Sequence, residues 1–403
     1  MKSLKELLIL GPGPSSSHTI GPYRICCSFL EEISRKNVER IEVTLYGSLS
    51  LTGKGHGTDS IIKEAFRGYD CKVIFDNTLE GLPHPNTMEC KAVLNNGKIF
   101  EKRYFSIGGG AFKCENEDKK EETIYPFHTF DGLKEYMEKE KIDDILSVIL
   151  KNEKDDILSY GKNLLSRSFE TIESSLEKEG ILPGPLKLQR VAKKIHERAN
   201  KTDDVTDRRL MLLTSYAYAT AEANANNELI VTTPTCGAAG VVPACLYYEY
   251  KNQNYDLDSL TKAYLVGALI CSFIKENAGV AGALLGCQSE IGSAASFASG
   301  SLSYLHGLSL YQIEYASEVA MEHFLGLTCD PVDGYVQIPC IERNGMGAIH
   351  AYASYLYARH ISLYRKNKVS FDNVIKAMKE TGEELPSELK ETSLAGLAKV
   401  IMC

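Results

Sequence analysis

The sequence has no apolar run long enough to cross a lipid bilayer and no export signal. Its most apolar stretch, Tyr264 to Ile274, ends at Lys275, so it is too short for a transmembrane helix and is typical of a buried core helix. The apolar start, Met1 to Leu10, is interrupted by Gly11-Pro-Gly-Pro14, whereas a signal peptide needs a longer apolar segment and a cleavage site. These absences predict a cytoplasmic protein without a membrane partner.

Motifs of nucleotide-binding proteins and of serine hydrolases are missing as well. Gly47 to Lys54 resembles a phosphate-binding loop, but five residues separate Gly47 from Gly53 where four are required, and Gly55 follows the lysine in place of Ser or Thr. No Gly-x-Ser-x-Gly sequence occurs. The net charge of −8, from 45 basic and 53 acidic residues, argues against nucleic acid as a partner.

The twelve cysteines include no Cys-x-x-Cys pair, which excludes the usual zinc-ribbon and ferredoxin patterns. In a chain without an export signal they indicate free thiols in a reducing compartment. Cys287, Cys329 and Cys340 lie among glycines and prolines, which let the backbone approach a bulky ligand and stiffen the loops that hold it. Such thiolates suit an iron–sulfur cluster or zinc. On spacing alone, however, scattered cysteines in an apolar domain are more often buried core thiols.

Hydrophobic periodicity divides the chain into two parts and predicts the α+β fold class. Residues 1–125 are predicted to form an α/β domain with an open sheet, in which Asn95-Asn-Gly97 makes a hairpin turn. The charged run 113–122 is expected to be a solvated linker. Residues 126–403 are predicted to be mostly α-helical around an apolar central layer. We expect strands at 41–46, 71–75, 88–94 and 98–106, and helices at 26–33, 60–66, 133–152, 156–179, 186–199, 207–225, 259–274, 310–324 and 347–361.

Eight short stretches, spread over nearly the whole chain, resemble one known family. They are Gly13-Pro-Ser-Ser-Ser-His-Thr-Ile-Gly-Pro22, Thr52-Gly-Lys-Gly-His-Gly-Thr-Asp59, His84-Pro-Asn-Thr87, Ser106-Ile-Gly-Gly-Gly110, Leu182-Pro-Gly184, Pro234-Thr-Cys-Gly-Ala-Ala-Gly240, Gly286-Cys-Gln-Ser-Glu-Ile-Gly292 and the run from Cys329 to Asn344. In this order they resemble the iron–sulfur-dependent L-serine dehydratases, or L-serine ammonia-lyases, in the form with both parts fused in one chain. The resemblance implies a beta-type part at 1–125 and an alpha-type part at 126–403.

The resemblance also implies a cofactor and a reaction. In that family, three cysteines matching Cys287, Cys329 and Cys340 hold a [4Fe–4S] cluster, and a chain-terminal cysteine, here Cys403, is the fourth ligand in the resting state. A cluster with one exchangeable iron position acts as a Lewis acid toward the β-hydroxyl of serine. A base removes the α-proton, and the products are pyruvate and ammonia.

Two histidines are candidates for the catalytic base. His18 and His56 lie in turns rich in small residues, which leave an imidazole accessible, and both match the family motifs. A lone histidine is more often a surface or satisfied core group, but neutral imidazole accepts a proton near neutral pH. We expect His56 to be the base with Asp59 orienting it, and His18 to donate a hydrogen bond to the substrate. The two roles could be exchanged.

Further polar residues are candidates for binding the substrate. The hydroxyls and amides ahead of a helix that begins near Pro22 could bind the substrate carboxylate, although each is as readily explained as a helix cap or turn. Arg343 could clamp a carboxylate or pair with Glu342 or Glu290. The predicted substrate-binding residues are Ser15, Ser16, Ser17, Thr19, His84, Asn86, Thr87 and Arg343.

This chain also departs from the family pattern near the cysteines. Cys236 replaces a common asparagine, Asp333 a common glycine, and 277–286 lacks the usual Ser- and Glu-containing stretch. These changes leave the substrate open, since L-threonine or L-cysteine could undergo the same elimination. A cluster-bearing amino-acid sensor without catalysis and a structural zinc protein are further alternatives. A homodimer is expected from the frequency of such assemblies.

Overall fold

The computed structural model describes residues 1–34, 36–78, 80–117, 122–153 and 156–400. Its strands are β1 (Leu10–Pro12), β2 (Val38–Tyr46), β3 (Cys71–Asp76), β4 (Thr87–Leu94), β5 (Ile99–Gly108), β6 (Ala111–Cys114) and β7 (Leu229–Val231). Its helices are α1 (Gly21–Ile33), α2 (Ser48–Leu51), α3 (Thr58–Ala65), α4 (Phe130–Glu140), α5 (Ile145–Asn152), α6 (Ile157–Leu176), α7 (Ala192–Ala199), α8 (Val205–Ala225), α9 (Val241–Asn252), α10 (Leu257–Asn277), α11 (Gly282–Leu285), α12 (Ile291–Leu305), α13 (Leu310–Glu322), α14 (Cys340–Ile361), α15 (Phe371–Glu384) and α16 (Leu397–Val400).

Five strands of the N-terminal part form one sheet in the order β3-β2-β4-β5-β6. Strand β2 runs parallel to β3 and antiparallel to β4, and β4 to β6 are antiparallel neighbours. Alternate side chains of β2, namely Ile41, Val43 and Leu45, are buried because every second residue of a strand faces the same side. They pack in one core with Phe29 of α1 and Ile62 of α3, so the two helices cover this face of the sheet.

The C-terminal part is a set of helices packed around α10 and α12. Both central helices are apolar on nearly all sides, as expected for helices surrounded by other helices. By length and composition alone α10 could cross a membrane, but 72% of its apolar window is buried inside the protein. An N-terminal sheet domain followed by a helical domain confirms the predicted α+β class.

The first residues of the chain belong structurally to the helical part. The side chains of Met1, Leu4 and Leu8 are buried in the helical core. The Met1 amino group donates a hydrogen bond to the carbonyl of Tyr125 at 2.9 Å, and the carboxylate of Glu153 accepts from Ser3 Oγ at 2.7 Å. Strand β1 then pairs antiparallel with β7, which follows α8. The chain therefore passes through the helical part before it enters the five-stranded sheet.

Several expected helices differ from those observed. The segment 133–152 forms two helices, because Lys141 ends α4 in a left-handed conformation with φ +54°. The expected helix at 186–199 begins only at Ala192, because Gln189 forms a β-bridge with Ile181 instead. Helices α9, α12 and α15 were not expected. The run 113–122 includes the last residues of β6 and continues into residues outside the described ranges.

Candidate active site

His18 and His56 are brought together from two separate turns of the N-terminal part. His18 lies in a short π-helical turn, Ser16–Ile20, that leads directly into α1. His56 lies in the turn between α2 and α3. Both side chains are buried, and their rings stack with centroids 4.4 Å apart and planes inclined by 26°. The two predicted catalytic histidines are therefore direct neighbours.

Fixed hydrogen bonds determine which nitrogen of each ring carries the proton. Nδ1 of His56 lies 2.8 Å from the carbonyl oxygen of Thr52, which can only accept, so Nδ1 is protonated and Nε2 has the lone pair. The hydroxyl of Ser48 donates to the carbonyl of Glu391 at 2.6 Å and can therefore accept from Nε2 of His18 at 3.0 Å. The lone pair of His18 is then on Nδ1, where the Ser17 hydroxyl donates to it at 2.9 Å.

Glu391 was not among the predicted site residues, but its carboxyl group faces both lone pairs. Oε1 of Glu391 lies 3.4 Å from Nδ1 of His18 and 3.5 Å from Nε2 of His56. Its backbone has a left-handed conformation with φ +59°, and its amide donates to the carbonyl of Cys329 at 2.7 Å. The C-terminal segment thus carries a buried carboxyl between the histidines and the cysteine loops.

Burial favours the uncharged form of all three side chains. Loss of solvent lowers the pKa of His56 to about 4, and it lowers the pKa of His18 well below its usual value, with His56 as a second cause. Burial, followed by the nearby Glu290 and Cys287, raises the pKa of Glu391 well above that of a free glutamate. A neutral imidazole with its lone pair directed into the site is the form that a proton acceptor requires.

The lowered histidine pKa predicts an acid-sensitive fold. Between pH 6.5 and about 4 the unfolded chain protonates His56 while the native protein does not, so the free energy of unfolding falls as the pH falls. The contribution is about 1.4 kcal/mol for each pH unit in that window. Equilibrium unfolding at several pH values should show a shallower pH dependence for His56→Asn than for wild type. Equal slopes for the two proteins would contradict the lowered pKa.

The three predicted cluster cysteines meet in the helical part. Cys287 precedes α12, Cys329 lies in the loop after α13, and Cys340 is the first residue of α14. A hydrogen bond from the Cys329 thiol, helped by the guanidinium of Arg343, lowers the pKa of Cys287 to about 6. Burial raises the pKa of Cys340, which also interacts electrostatically with Cys287 and Arg343. Cys403 lies outside the described residues.

Arg343 supplies positive charge to this group of thiols. It lies one turn into α14 and interacts electrostatically with all three cysteines. Its guanidinium donates to the carbonyl of Thr328 at 2.8 Å and to Oδ1 of Asp330 at 3.1 Å. Glu342 and Glu290, the structural partners considered from the sequence, interact electrostatically with Arg343, but among the described residues its close ion pair is with Asp330. A role for Arg343 in binding the substrate carboxylate stays a prediction.

The histidine turn and a cysteine loop touch through glycine backbone. A Cβ atom on Gly55, beside His56, would lie 2.4 Å from the carbonyl oxygen of Gly334. A Cβ atom on Gly334 would lie 3.2 Å from Cα of Thr52. Asp333, where the family usually has glycine, has φ +51°, a left-handed conformation that glycine adopts without strain and aspartate tolerates. The small residues of the sequence motifs here allow close contact between the two parts of the site.

Gly55→Ala should therefore separate the two halves of the site. The added methyl group contacts rigid backbone, so we expect a loss of about 1–3 kcal/mol in unfolding free energy, as for other overpacked positions. Thermal unfolding together with the catalytic rate would measure the effect. Gly68→Ala is the control, because Gly68 lies in the same sheet part, after α3, and has nothing within 4 Å of the added atom. Gly68 has φ +96°, so an alanine there adds backbone strain without a steric clash, and the stability loss of this control measures that strain alone.

The structure gives His56 an orienting group different from the predicted Asp59. The carbonyl of Thr52 accepts the Nδ1 proton, and no hydrogen bond joins Asp59 to His56 within the described ranges. Asp59 is the second residue of α3 and lies in its first turn, where a carboxylate interacts favourably with the helix dipole. Its position in the family motif is thus explained by the helix that follows His56.

Asp59→Asn should accordingly change the catalytic rate by no more than about twofold, because substitutions away from the reacting groups usually cost within about 0.5 kcal/mol. Asparagine keeps the size of the side chain and removes its charge. The rate of product formation with saturating substrate is the appropriate measurement. A loss of activity by two orders of magnitude, with a normal fold, would restore Asp59 to the site.

The predicted hydroxyl residues around His18 mostly support its turn. Ser15 accepts a hydrogen bond from the His18 amide, and Thr19 donates to the carbonyl of His56 at 2.9 Å. Of these predicted residues, Ser17 is the one whose hydroxyl is hydrogen-bonded to the His18 ring. Ser16 is buried in the same turn. Their contribution to binding a substrate carboxylate stays a prediction.

His84, Asn86 and Thr87 form a second layer next to this turn. The Asn86 side chain donates to the carbonyl of Ser106 at 3.3 Å, and the Ser106 hydroxyl donates to the carbonyl of Ser17 at 2.6 Å. The Thr87 hydroxyl donates to the carbonyl of His84, and burial lowers the pKa of His84 to about 4. Oδ1 of Asn86 and Nε2 of His84 are buried without hydrogen-bond partners among the described residues.

Neutral, buried histidines and a group of thiols thus both neighbour the buried carboxyl of Glu391, an arrangement typical of an enzyme that transfers protons. Known proteins are similar to this protein in sequence over both parts. The family model of the serine dehydratase beta chain matches residues 3–81, and that of the serine dehydratase alpha chain matches residues 99–398. The alpha-chain match covers more than half of the chain.

Individual relatives match over their whole length. The L-serine dehydratase of Streptomyces coelicolor is 36% identical over 456 aligned positions, which cover 100% of this chain and 99% of that protein. The L-serine dehydratase of Helicobacter pylori strain 26695 is also 36% identical with the same coverage. L-serine dehydratase 1 of Escherichia coli K12 is 33% identical, with 100% of both chains covered. The chain belongs to the serine dehydratase family, with beta and alpha domains in one polypeptide.

Proposed function

We propose that this protein is a [4Fe–4S]-dependent L-serine ammonia-lyase that converts L-serine to pyruvate and ammonia. The observation that carries the proposal is that one buried carboxyl, Glu391, lies 3.4 and 3.5 Å from two neutral, buried histidines and also interacts electrostatically with the three clustered thiols. Full-length relatives that bear the name L-serine dehydratase support the choice of substrate.

The donor set fits an iron–sulfur cluster. Thiolates are the ligands that such clusters take, and Cys287 already favours the thiolate form because Cys329 and Arg343 lower its pKa. The nearby guanidinium offsets the negative charge that several thiolates would bring together. Cys287, Cys329 and Cys340 would hold the cluster, and Cys403 is proposed as the exchangeable fourth ligand. When bound, the cluster would supply a Lewis-acid iron for the β-hydroxyl of the substrate.

The histidines would perform the proton transfer. The Nε2 lone pair of His56 would accept the α-proton of L-serine, while the Thr52 carbonyl holds the ring and stabilises the imidazolium that forms. Hydroxide would leave the β-carbon as the double bond forms and would become water by taking up a proton. The resulting enamine rearranges to an imine, and water hydrolyses that imine to pyruvate and ammonia.

His18 is better placed to orient than to accept. Its Nε2 proton is already donated to Ser48, and Ser17 occupies its lone pair at Nδ1, so its ring is held from both sides. We propose that it contacts the substrate by exchanging the Ser17 hydrogen bond. Ser15, Ser16, Ser17, Thr19, His84, Asn86, Thr87 and Arg343 are proposed to bind the substrate or to shape its pocket.

The C-terminal segment would control entry to the site. Glu391 fills the space between the histidines and the cysteine loops, and the Ser393 hydroxyl donates to the carbonyl of Pro331 at 2.6 Å. A substrate that reaches both His56 and the thiols must displace the Glu391 side chain. Because Cys403 follows on the same segment, release of that cysteine and withdrawal of Glu391 would be one movement.

We also propose that the protein is a cytoplasmic homodimer, since closed twofold assemblies are the commonest oligomers of such enzymes. Its partners would be a small amino-acid substrate and a second copy of the chain, with neither nucleic acid nor membrane.

The proposal is tested by purifying the protein without oxygen, quantifying iron and sulfide, and assaying pyruvate from L-serine. We expect about four irons and four sulfides per chain and turnover that is lost on exposure to air. Parallel assays with L-threonine and L-cysteine identify the preferred substrate. A cluster-loaded protein that binds L-serine without forming pyruvate would instead be a sensor, and a colourless, zinc-containing protein would exclude the cluster.

A further inference from the structure

The donor atoms of His18, His56 and Glu391 converge in a way that proton transfer does not require. Two imidazole lone pairs lie 3.4 and 3.5 Å from the same carboxyl oxygen, Oε1 of Glu391. All three donor atoms lie within 4.8 Å of one another. Ligands at roughly 2.0–2.1 Å from a tetrahedral zinc ion are about 3.3 Å apart. The spacing between each nitrogen and the carboxyl oxygen therefore already matches that of a zinc site.

Each histidine is also oriented as a metal ligand would be. Metal-bound histidines usually donate their second ring proton to a fixed acceptor, which sets the tautomer. His56 donates its Nδ1 proton to the Thr52 carbonyl, and His18 donates its Nε2 proton to Ser48, which is in turn bonded to the carbonyl of Glu391. Because both rings are neutral, both lone pairs are available to a cation.

The remaining polar groups leave room for coordination. Oε2 of Glu391 is buried and makes no hydrogen bond to any residue that the structure describes, so the carboxylate can turn toward an ion with either oxygen. The Ser17 hydroxyl, which donates to His18 Nδ1, can turn instead to Ser15 Oγ at 3.2 Å. Binding therefore needs side-chain rotation around an existing set of donors, together with release to solvent of the proton that burial favours on Glu391.

We propose that His18, His56 and Glu391 bind one zinc ion, and that this ion inhibits the enzyme. Two imidazoles and one carboxylate form a donor set used by zinc in proteins. Iron(II) uses the same donors, but zinc binds more tightly in the usual order of divalent metals. Inhibition rests on the proposed function, because coordination consumes the His56 lone pair that would accept the α-proton. The binding of zinc does not rest on it.

The experiment uses untagged, cluster-loaded protein, so that Cys287, Cys329 and Cys340 are already occupied. Zinc chloride is added without oxygen, unbound metal is removed by desalting, and zinc per chain is measured by mass spectrometry. We expect wild type to retain about one zinc ion per chain more than Glu391→Gln. Pyruvate formation by wild type should fall in proportion to the zinc retained and should recover when a chelator is added. Ser48→Ala keeps all three ligands but frees the His18 ring, so it should weaken zinc binding by about 10- to 100-fold.

Glu249→Gln is the matched control. Glu249 is buried and lies 3.2 Å from Nε2 of His306, so it forms another histidine–carboxylate pair, away from the site and without a second imidazole. Its zinc content should equal that of wild type.

Equal zinc in wild type, Glu391→Gln and Ser48→Ala, all with normal helical content and iron, would overturn the site. Extra zinc in wild type without inhibition would keep the site and overturn His56 as the base. Absence of pyruvate before zinc is added would count against the proposed function, and the zinc count would still decide the site.

Discussion

His56→Asn is expected to lower kcat by about 10²- to 10⁴-fold, the usual contribution of a positioned general base. Asparagine has no lone pair of comparable basicity at the place of Nε2, so proton removal from the α-carbon would depend on water. The thiols are untouched, so iron and sulfide content should stay at the wild-type level. The initial rate of pyruvate formation without oxygen, normalised to iron, measures the effect.

Two further histidine variants test whether the loss of kcat is specific to His56. His18→Asn should also lower kcat, and it should raise KM, because the ring is placed to contact the substrate. His306→Asn removes a half-buried histidine of the helical part that stacks on Tyr355, and it should leave kcat unchanged. If His56→Asn kept its rate while His18→Asn lost it, the roles of the two histidines would be exchanged.

Cys340→Ser is expected to abolish both the cluster and pyruvate formation. The three thiols come from separate segments, and Cys340 is fixed at the start of α14, so the substitution leaves two of the three predicted ligands. A serine hydroxyl is a harder and far less acidic ligand than a thiol. Iron and sulfide per chain, the visible absorption of the cluster and the rate of product formation should all fall to background.

The control for this substitution is Cys271→Ser, which changes a buried cysteine of α10 that lies in the helical core. Burial raises the pKa of Cys271, as expected for an inert core thiol. This variant should keep its iron and its activity, with at most a modest loss of stability. An intact, active cluster in Cys340→Ser would refute the assignment of the metal ligands.

The sheet could be predicted from the sequence because its strands have one buried and one open face. Alternation in β2 and the Asn95-Asn-Gly97 turn between β4 and β5 both follow from contacts close in sequence. The helices α9 and α12 were missed because they are buried on nearly all sides, so no polar stripe marks a helical period. The pairing of β1 with β7 was equally hidden, because it joins residues more than 200 positions apart.

The site could be predicted only where a residue's chemistry is visible in its own motif. His18, His56 and the three cysteines have side chains with specific chemistry in glycine-rich turns. The fold stacks the two histidines on each other and groups the three cysteines. Glu391 gave no such signal, since a glutamate in a Lys-Glu-Thr-Ser segment is ordinary on a surface. Asp59 was predicted from its closeness to His56 in the sequence, whereas the turn directs the Nδ1 proton of His56 to the Thr52 carbonyl.

The path of the first twelve residues bears on how the two domains hold together. Because Met1 to Pro12 are anchored among the helices, cutting the polypeptide between the domains would leave the amino-terminal fragment bound to the helical domain through these residues. Residues 1–117 and 118–403, produced as separate chains in one cell, should therefore assemble and co-purify. Assembly of the two fragments would show that the cohesion of the beta and alpha domains does not depend on the peptide bond that joins them.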